Sequence, residues 1–160
     1  MEKYKFSLAK TADVSEILNL YHSLIGTPGC TWNLDYPNKE IVETDIEQES
    51  LYVLRNDNNR IVAVAAAGKS CELDELSWSP GKACDLARIG VLFEMQNQGI
   101  GTIILKNVKN EVKQRGFDGI RMLVSRSNPS ALALYDKNGF HKCGETFMYG
   151  IDFFCYEIAL

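Results

Sequence analysis

The chain has 160 residues, of which 46% are hydrophobic and 24% charged, and its formal net charge is −4. This profile is typical of one globular domain, which we predict to cover residues 1–160. No window holds the ~20 apolar residues that cross a bilayer, so we expect no membrane partner. The acidic balance and the lack of a basic tract argue against nucleic acid as a main partner.

The cysteines are odd in number and form no C-x-x-C pair; they are Cys30, Cys71, Cys84, Cys143 and Cys155. Only two histidines accompany them. This inventory argues against a disulfide framework or a structural zinc site, and each thiol is most simply a small core hydrophobe. We therefore predict a cytoplasmic protein without a metal.

The first half of the chain predicts the order β-α-α-β-β. A half-buried strand is expected from Tyr4 to Lys10, followed by a helix that begins at Asp13, where Asp13 and Glu16 would form a box-like cap. A second helix is expected to start at Asn38. Two apolar runs, 51–55 and 61–67, then predict an antiparallel hairpin.

A long connection, residues 68–82, separates this half from the second. We expect a strand over 83–93, a helix from Gly99 to about Arg115, and a strand over 119–124. A helix over 129–138 and two final strands complete the chain. The predicted fold is therefore a mixed α/β sheet of about seven strands with helices on both faces, and its middle β-α-β unit requires a parallel crossover.

The turn before the second-half helix is Gln98-Gly99-Ile100-Gly101. A strand, a glycine-containing turn and a helix point free backbone N–H groups at an anion. A P-loop would need Gly-Lys-Ser/Thr at its end, and a dinucleotide fingerprint a third glycine where Ile104 stands. Both are excluded, and taken alone the pattern is equally compatible with a tight turn that binds nothing.

A second motif runs from Asn128-Pro129 to Gly139-Phe140. Pro129 favours the first helical position, which makes Asn128 the N-cap at the carboxyl end of a strand, where ligands bind in open α/β sheets. Tyr135 lies two turns further along. Its hydroxyl would reach a ligand between the two helices, or Tyr135 would be a core aromatic.

Three pieces together carry a family resemblance. They are the strand Asp85-Leu86-Ala87-Arg88-Ile89-Gly90-Val91, the loop Gln96-x-x-Gly99-x-Gly101, and the segment from Asn128 to Phe140. In order and spacing the sequence resembles the GNAT superfamily of acetyl-CoA-dependent N-acetyltransferases. The match covers about residues 82–140, and the flanking predicted elements fit the same fold.

The resemblance implies a role for each piece. The Asn128 side chain would contact the pantetheine arm or position its helix, and Tyr135 would protonate the departing thiolate. The backbone of the central strand would pair with pantetheine, and the loop would hold the pyrophosphate. These cofactor-binding positions are Ile89, Gly90 and Val91 for the strand, and Gln96, Asn97, Gln98, Gly99, Ile100, Gly101 and Thr102 for the loop.

Two positions depart from the family pattern: Phe93 stands where many members have proline, and Gln96 replaces the commoner arginine. Neither affects a loop whose phosphate contacts are mostly backbone. Lys106 or Lys137 would meet the 3′-phosphate, or both are simply solvated.

A general base is less well defined by the sequence. Asp85 is the catalytic candidate, and period-2 alternation puts it on one face with Ala87, Ile89 and Val91. Other candidates are Asp45, Glu72, Asp74 and Glu75; each is also compatible with a structural or solvated carboxylate. Deprotonation through water would need no dedicated base.

The acceptor is expected to be a small-molecule or peptide amine that binds between residues 26–36 and 68–82. Trp32, Tyr36 and Trp78 would contact it, or they pack over the sheet edge. The predicted function is acetyl transfer from acetyl-CoA to this amine in a ternary complex, and a homodimer is left open. The alternatives are a non-catalytic acyl-CoA sensor and an α/β protein without a ligand.

Overall fold

The computed structural model describes residues 3–160, so the first two residues of the predicted domain lie outside the described part. Seven strands form one sheet, and four α-helices cover it. The strands are β1 (Lys5–Leu8), β2 (Leu51–Arg55), β3 (Ile61–Gly68), β4 (Ala83–Val91), β5 (Gly119–Ser125), β6 (His141–Met148) and β7 (Ile151–Ala159). The helices are α1 (Val14–Ser23), α2 (Lys39–Glu47), α3 (Ile100–Gln114) and α4 (Pro129–Lys137).

The strand order is β1-β2-β3-β4-β5-β7-β6. β4 and β5 run parallel, and every other neighbouring pair is antiparallel. Helices α1 and α3 both pack on β3 and β4 without an extensive contact with each other, so they cover opposite faces. The predicted mixed α/β fold is confirmed.

The start of α1 differs from the prediction. Asp13 has no side-chain cap bond to the helix; its carboxylate instead accepts from the Lys10 amide at 2.8 Å and pairs with Arg55 of β2 at 2.6 Å. Glu16 accepts from the Ile61 amide at 2.7 Å, so it holds the start of β3. The predicted capping box is wrong because both carboxylates have partners on the sheet.

The start of α2 lies within one residue of the predicted start at Asn38, which is its N-cap, and the predicted cap of α4 at Asn128 is present. Asn38 accepts from the Ile41 amide at 2.9 Å, and Asn128 accepts from the Ala131 amide at 3.1 Å. Each bond satisfies one free N–H of the first helical turn. The cap at Asn128 fixes the point at which the chain leaves β5.

A bulge interrupts β4 at Arg88. Ala87 lies opposite Ala66 of β3 and Gly90 opposite Val64, so three steps along β4 match two along β3. Arg88 has a φ of 48°, in the left-handed region that non-glycine residues rarely occupy. The extra residue bends the strand and changes the direction of the side chains in its second half.

The bulge overturns one expectation about strand faces. By register, Asp85 shares a face with Gly90, whereas Val91 lies on the other face. A Cβ at Gly90 would lie 3.0 Å from Leu24, at the end of α1, so this face is the one that α1 covers. The prediction that Asp85 and Val91 share a face is therefore wrong, because the extra residue of the bulge interrupts the alternation of side chains between the two faces of the strand.

β4 and β5 separate after three paired positions. Their last pair is Asp85 with Arg121. Beyond it β4 stays paired to β3 as far as Val91, while β5 stays paired to β7 as far as Ser125. A wedge therefore opens inside the sheet, and one edge of β4 there has no neighbouring strand.

Candidate active site

The wedge is the floor of a cleft of about 710 Å³. This volume lies within the range of ~300–1,000 Å³ typical of small-molecule sites. The walls come from the bulged half of β4, the end of β5, α3, α4 and the loop after α1. Among the residues that line it are Gly29, Trp32, Arg88, Ile89, Gly90, Val91, Gln96, Asn97, Gly99, Ile100, Gly101, Thr102, Asn128, Tyr135 and Lys137.

One end of the cleft is the N-terminus of α3. Gly99 is the N-cap residue, with a φ of 82°, and no side chain caps the helix. The first N–H groups of a helix have no partner within it, and their dipoles favour an anion. Within the described chain, no acceptor is found for the N–H groups of residues 97–102. This end can therefore bind an anionic group.

Gln96 differs from the rest of this loop. Its N–H donates to the Phe93 carbonyl at 3.2 Å, and its side-chain amide donates to the Val91 carbonyl at 3.1 Å. Both groups hold the turn that follows β4, which is a 3₁₀ helix at Phe93–Met95 rather than a continued strand. Gln96 shapes the loop, and the donors available to a ligand begin at Asn97.

The two glycines of the loop are each required for a different physical reason. Gly99 has open space around the position of a Cβ, and its constraint is the left-handed backbone. A Cβ on Gly101 would lie 2.9 Å from Leu134, so this glycine lets α3 approach α4 closely. Thr102 accepts a bond of 3.2 Å from Asn138, which joins the same two helices.

Tyr135 projects from α4 into the cleft wall. The residue is 3% exposed, and its ring packs at 5.7 Å against Phe140 and at 6.4 Å against Tyr156, measured between ring centroids. No hydrogen-bond partner is found for its hydroxyl among residues 3–160. Burial raises the pKa of the phenol above its ordinary value of about 10. The hydroxyl is therefore a protonated donor at neutral pH.

The loop after α1 crosses the cleft to reach Asn128. A Cβ on Gly29 would lie 2.8 Å from the Asn128 side chain, so glycine permits this contact. Trp32, on the same loop, packs edge-on against Tyr21 of α1 with the centroids 5.2 Å apart. The predicted contact residue Trp32 thus lies in the cleft, beside Gly90.

The bulge is held by contacts from three sides. The buried hydroxyl of Tyr21 donates to the Arg88 carbonyl at 3.0 Å. The Arg88 guanidinium binds both carboxylate oxygens of Asp45 on α2 at 2.9–3.0 Å, and its Nη1 donates to the Tyr36 hydroxyl at 3.2 Å. These contacts fix the peptide units at the centre of the cleft.

Asp85 lies outside the residues that line the cleft. Its carboxylate forms a buried ion pair with Arg121 of β5, which also binds Asp74 at 2.6 Å. Burial raises the pKa of the Asp85 carboxyl above its ordinary value, and the hydrogen bond from Arg121 opposes that shift. The ion pair of Asp85 with Arg121 therefore stabilises the last position at which β4 and β5 are paired.

Trp78 is likewise distant from the cleft lining. Its indole N–H donates to the Leu73 carbonyl at 2.8 Å, and the Arg121 guanidinium lies 5.8 Å from its ring centre. The next residue, Ser79, donates its amide to the buried carboxylate of Glu157 at 3.1 Å. These contacts anchor the 69–82 connection to the sheet.

No site role was predicted for Tyr21 or for the Arg88 side chain, and Gly29 was predicted only as part of the acceptor-binding range 26–36. Their importance comes from a bulge and a loop crossing, neither of which leaves a periodic signal. The other carboxylates considered as bases are engaged elsewhere or exposed: Asp45 binds Arg88, and Glu72 accepts from Tyr149 at 3.0 Å.

Within residues 3–160, no group of three or more histidine, cysteine or acidic side chains is placed to hold a metal ion. In the same part of the chain, no helix is long and apolar enough to cross a membrane.

The profile of the acetyltransferase (GNAT) family matches residues 13–140, most of the chain, and the three pieces of the cleft lie inside that match. The chain belongs to the GNAT acetyltransferase family.

Curated relatives match over shorter segments. The chain is 32% identical over 60 residues to the uncharacterized protein YdhI of Bacillus subtilis, a segment that covers 38% of this chain and 36% of that protein. It is 32% identical over 66 residues to N-acetyltransferase family 8 member 3 of Mus musculus, covering 41% and 29%. The chain thus spans about a third of the length of these relatives.

Solved structures match over nearly the whole chain. A GNAT-family acetyltransferase from Streptococcus agalactiae superposes with a TM-score of 0.82 at 18% identity, covering 98% of this chain and 95% of that one. The ribosomal-protein-S18-alanine N-acetyltransferase of Escherichia coli gives 0.75 at 20% identity, covering 98% and 93%. At these identities the likeness shows the shared fold.

Proposed function

We propose that this protein transfers an acetyl group from acetyl-CoA to a primary amine within a ternary complex. The observation that carries the proposal is the wedge between β4 and β5, which leads from the free N–H groups of residues 97–102 to the hydroxyl of Tyr135. The wedge offers an unpaired strand edge, an anion-binding helix end and a proton donor along one cleft.

The chain's groups fit the parts of the cofactor. The pyrophosphate would accept from the N–H groups of residues 97–102, where the helix dipole adds about 0.3–2 kcal/mol. The amides of the pantetheine arm would pair with β4 at Ile89–Val91, as a peptide does when it adds to a sheet edge. Asn128, held by its own cap bond, would keep the opposite wall in place.

The chemical step makes a bond between the amine nitrogen and the acetyl carbon while the carbon–sulfur bond breaks. Backbone N–H groups at the bulge would stabilise charge on the carbonyl oxygen, since preorganised donors act strongly in a site that excludes water. Tyr135 would give its proton to the leaving sulfur. The proton lost by the amine would leave through water, because the candidate carboxylates are paired with other side chains or lie outside the cleft.

Two measurements test this proposal. Acetyl-CoA should raise the melting temperature of the purified protein, by an amount that grows with its concentration. A panel of amino acids, peptides, polyamines and aminoglycosides should then release free CoA thiol with at least one member. Stabilisation without thiol release from any acceptor class would favour the sensor function, and the absence of both effects would exclude a CoA site.

A further inference from the structure

Each end of the cleft has one positively charged side chain among its described lining residues. Among the described residues that line it, the charged side chains are Arg88 and Lys137, and none is a carboxylate. Lys137 ends α4 next to Asn138, which bonds to Thr102, so it belongs to the end formed by α3. Arg88 is therefore the charged side chain at the end where the loop after α1 lies.

The Arg88 guanidinium has a fixed orientation. The Asp45 carboxylate accepts hydrogen bonds from Nε and Nη2 of Arg88. A bidentate pair of this kind fixes the plane of the guanidinium. Nη1 makes one bond, to the Tyr36 hydroxyl. Its second N–H has no acceptor among residues 3–160, and neither has the Tyr36 proton, because that hydroxyl serves here as an acceptor. Two adjacent donors are thus left over.

We propose that the acceptor is a free amino acid, whose carboxylate accepts from Arg88 Nη1 and from the Tyr36 hydroxyl. This inference rests on the proposed acetyl transfer and names its substrate class. Two neighbouring donors match the two oxygens of a carboxylate. The indole of Trp32, beside Gly90, offers an apolar wall for the amino acid side chain.

A polycationic acceptor fits this site less well. It would need carboxylates in the cleft, and the buried one nearby, Asp45, has both oxygens on Arg88. Among the described residues, the exposed side chains of Glu72 and Asp35 bond to none that lines the cleft, whereas Tyr36, itself exposed and outside the lining, bonds to Arg88, which lines it. Because the Asp45–Arg88 pair has no net charge, recognition here depends on oriented donors rather than on a strong field.

The test compares matched acceptors at saturating acetyl-CoA. Each of the common amino acids is assayed for thiol release beside its C-terminal amide and its decarboxylated amine, with spermidine and a peptide as further arms. We expect at least one amino acid to have a kcat/KM at least ~10-fold above that of its own amide, the ratio typical of a hydrogen bond to a charged group.

Variants then assign that preference to the site. Tyr36→Phe should lower the acid-to-amide ratio by ~3–10-fold while leaving the KM for acetyl-CoA unchanged, because it keeps the ring but removes both the hydroxyl donor and the acceptor that orients Arg88 Nη1. Tyr149→Phe is the matched control: it makes the same change at an exposed tyrosine that binds Glu72 instead of Arg88. It should leave the ratio as it is.

Several outcomes would overturn the acceptor assignment alone. These are an amide or decarboxylated amine used as well as the acid, a preference for spermidine or the peptide, an unchanged ratio in Tyr36→Phe, or no turnover of any amino acid by a protein that acetyl-CoA stabilises. Failure of acetyl-CoA to stabilise the protein, with no thiol released from any acceptor, would overturn the proposed function as well.

Discussion

At the scale of single residues, Tyr135 has a buried ring and a hydroxyl for which residues 3–160 provide no hydrogen-bond partner. The ring is fixed between Phe140 and Tyr156, so the position of the hydroxyl is set by packing rather than by a hydrogen bond. A replacement that keeps the ring therefore removes the proton donor and little else.

We expect Tyr135→Phe to lower kcat at least ~10-fold, since a general acid contributes typically 10²–10⁴-fold. The dissociation constant for acetyl-CoA should change little, because the ring and the helix remain. Steady-state kinetics and calorimetric titration measure the two quantities. A kcat equal to that of the wild type would mean that Tyr135 does not act as the general acid.

The pH dependence follows from the same residue. A tyrosine acid works while protonated, and burial raises the pKa of Tyr135 above its ordinary value, so its proton is retained as pH rises through neutrality. The amine must lose a proton, so kcat/KM should increase with pH. We predict no fall in kcat below about pH 10, the ordinary phenol pKa. A pH–rate profile with an alkaline decline near pH 8, absent in Tyr135→Phe, would contradict this reading.

Residue roles were only partly predictable. The helix start near Asn38 and the cap at Asn128 depend on local sequence and were predicted correctly. Asp13 and Glu16 were not, because their partners, Arg55 and the Ile61 amide, lie more than 40 positions away along the chain. The role of Arg88 depends on a left-handed backbone at a non-glycine residue, for which the sequence gives no signal.

At the scale of elements, α3 has a left-handed glycine at each end, Gly99 before it and Gly116 after it. Both backbones are strained for any other residue, and a Cβ at either position meets no close contact. Gly99 lines the cleft, whereas Gly116 is not among the residues that line it. Because their backbones are otherwise alike, the two glycines form a matched pair for measuring cofactor binding.

Gly99→Ala and Gly116→Ala should therefore each destabilise the fold by about 1–2 kcal/mol, the cost of a left-handed residue with a Cβ. Only Gly99→Ala should also raise the dissociation constant for acetyl-CoA, by several-fold, since it disturbs the turn that presents the free N–H groups. Thermal unfolding and calorimetric titration separate the two effects. Equal dissociation constants for acetyl-CoA in both variants would mean that the loop does not contribute to cofactor binding.

Where β4 and β5 separate, the buried pair of Asp85 and Arg121 marks the boundary. We expect Arg121→Met to destabilise the protein by about 3–5 kcal/mol, because it leaves a buried carboxylate without its partner. Arg60→Met, which breaks an exposed pair with Glu94, should cost about 0–1 kcal/mol. Urea unfolding of both variants measures the difference; a similar small loss in both would mean that the Asp85 pair contributes little.

At the scale of the whole molecule, the order of elements and the parallel β4–β5 unit were predictable because each depends on local periodicity and chain connectivity. The family resemblance was confirmed by the match over residues 13–140. The residues assigned to the cofactor mostly meet in one cleft, because the strand, the loop and the helix that carry them are adjacent in the fold.

The separation of β4 from β5 was not predictable, and neither was the contact of the loop after α1 with Asn128. Periodicity shows that a strand exists but not where its pairing ends, and a loop that crosses the cleft leaves no pattern. Asp85 was selected from its place on the central strand, and Trp78 as an aromatic residue of the long connection. Both belong to the buried contacts beneath the 69–82 connection, on the side of the sheet where its strands remain paired.

An unpaired strand edge inside the sheet also has a consequence for amide exchange. Amides in the second half of β4 that point toward β5 have no ladder acceptor there, so they should exchange with deuterium faster than the amides of the fully paired β3. If acetyl-CoA supplies the missing neighbour, its binding should slow exchange in residues 89–91 and in the start of α3. Hydrogen exchange measured with and without acetyl-CoA tests this expectation, and equal exchange of residues 89–91 in both samples would mean that the cofactor does not pair with this strand edge.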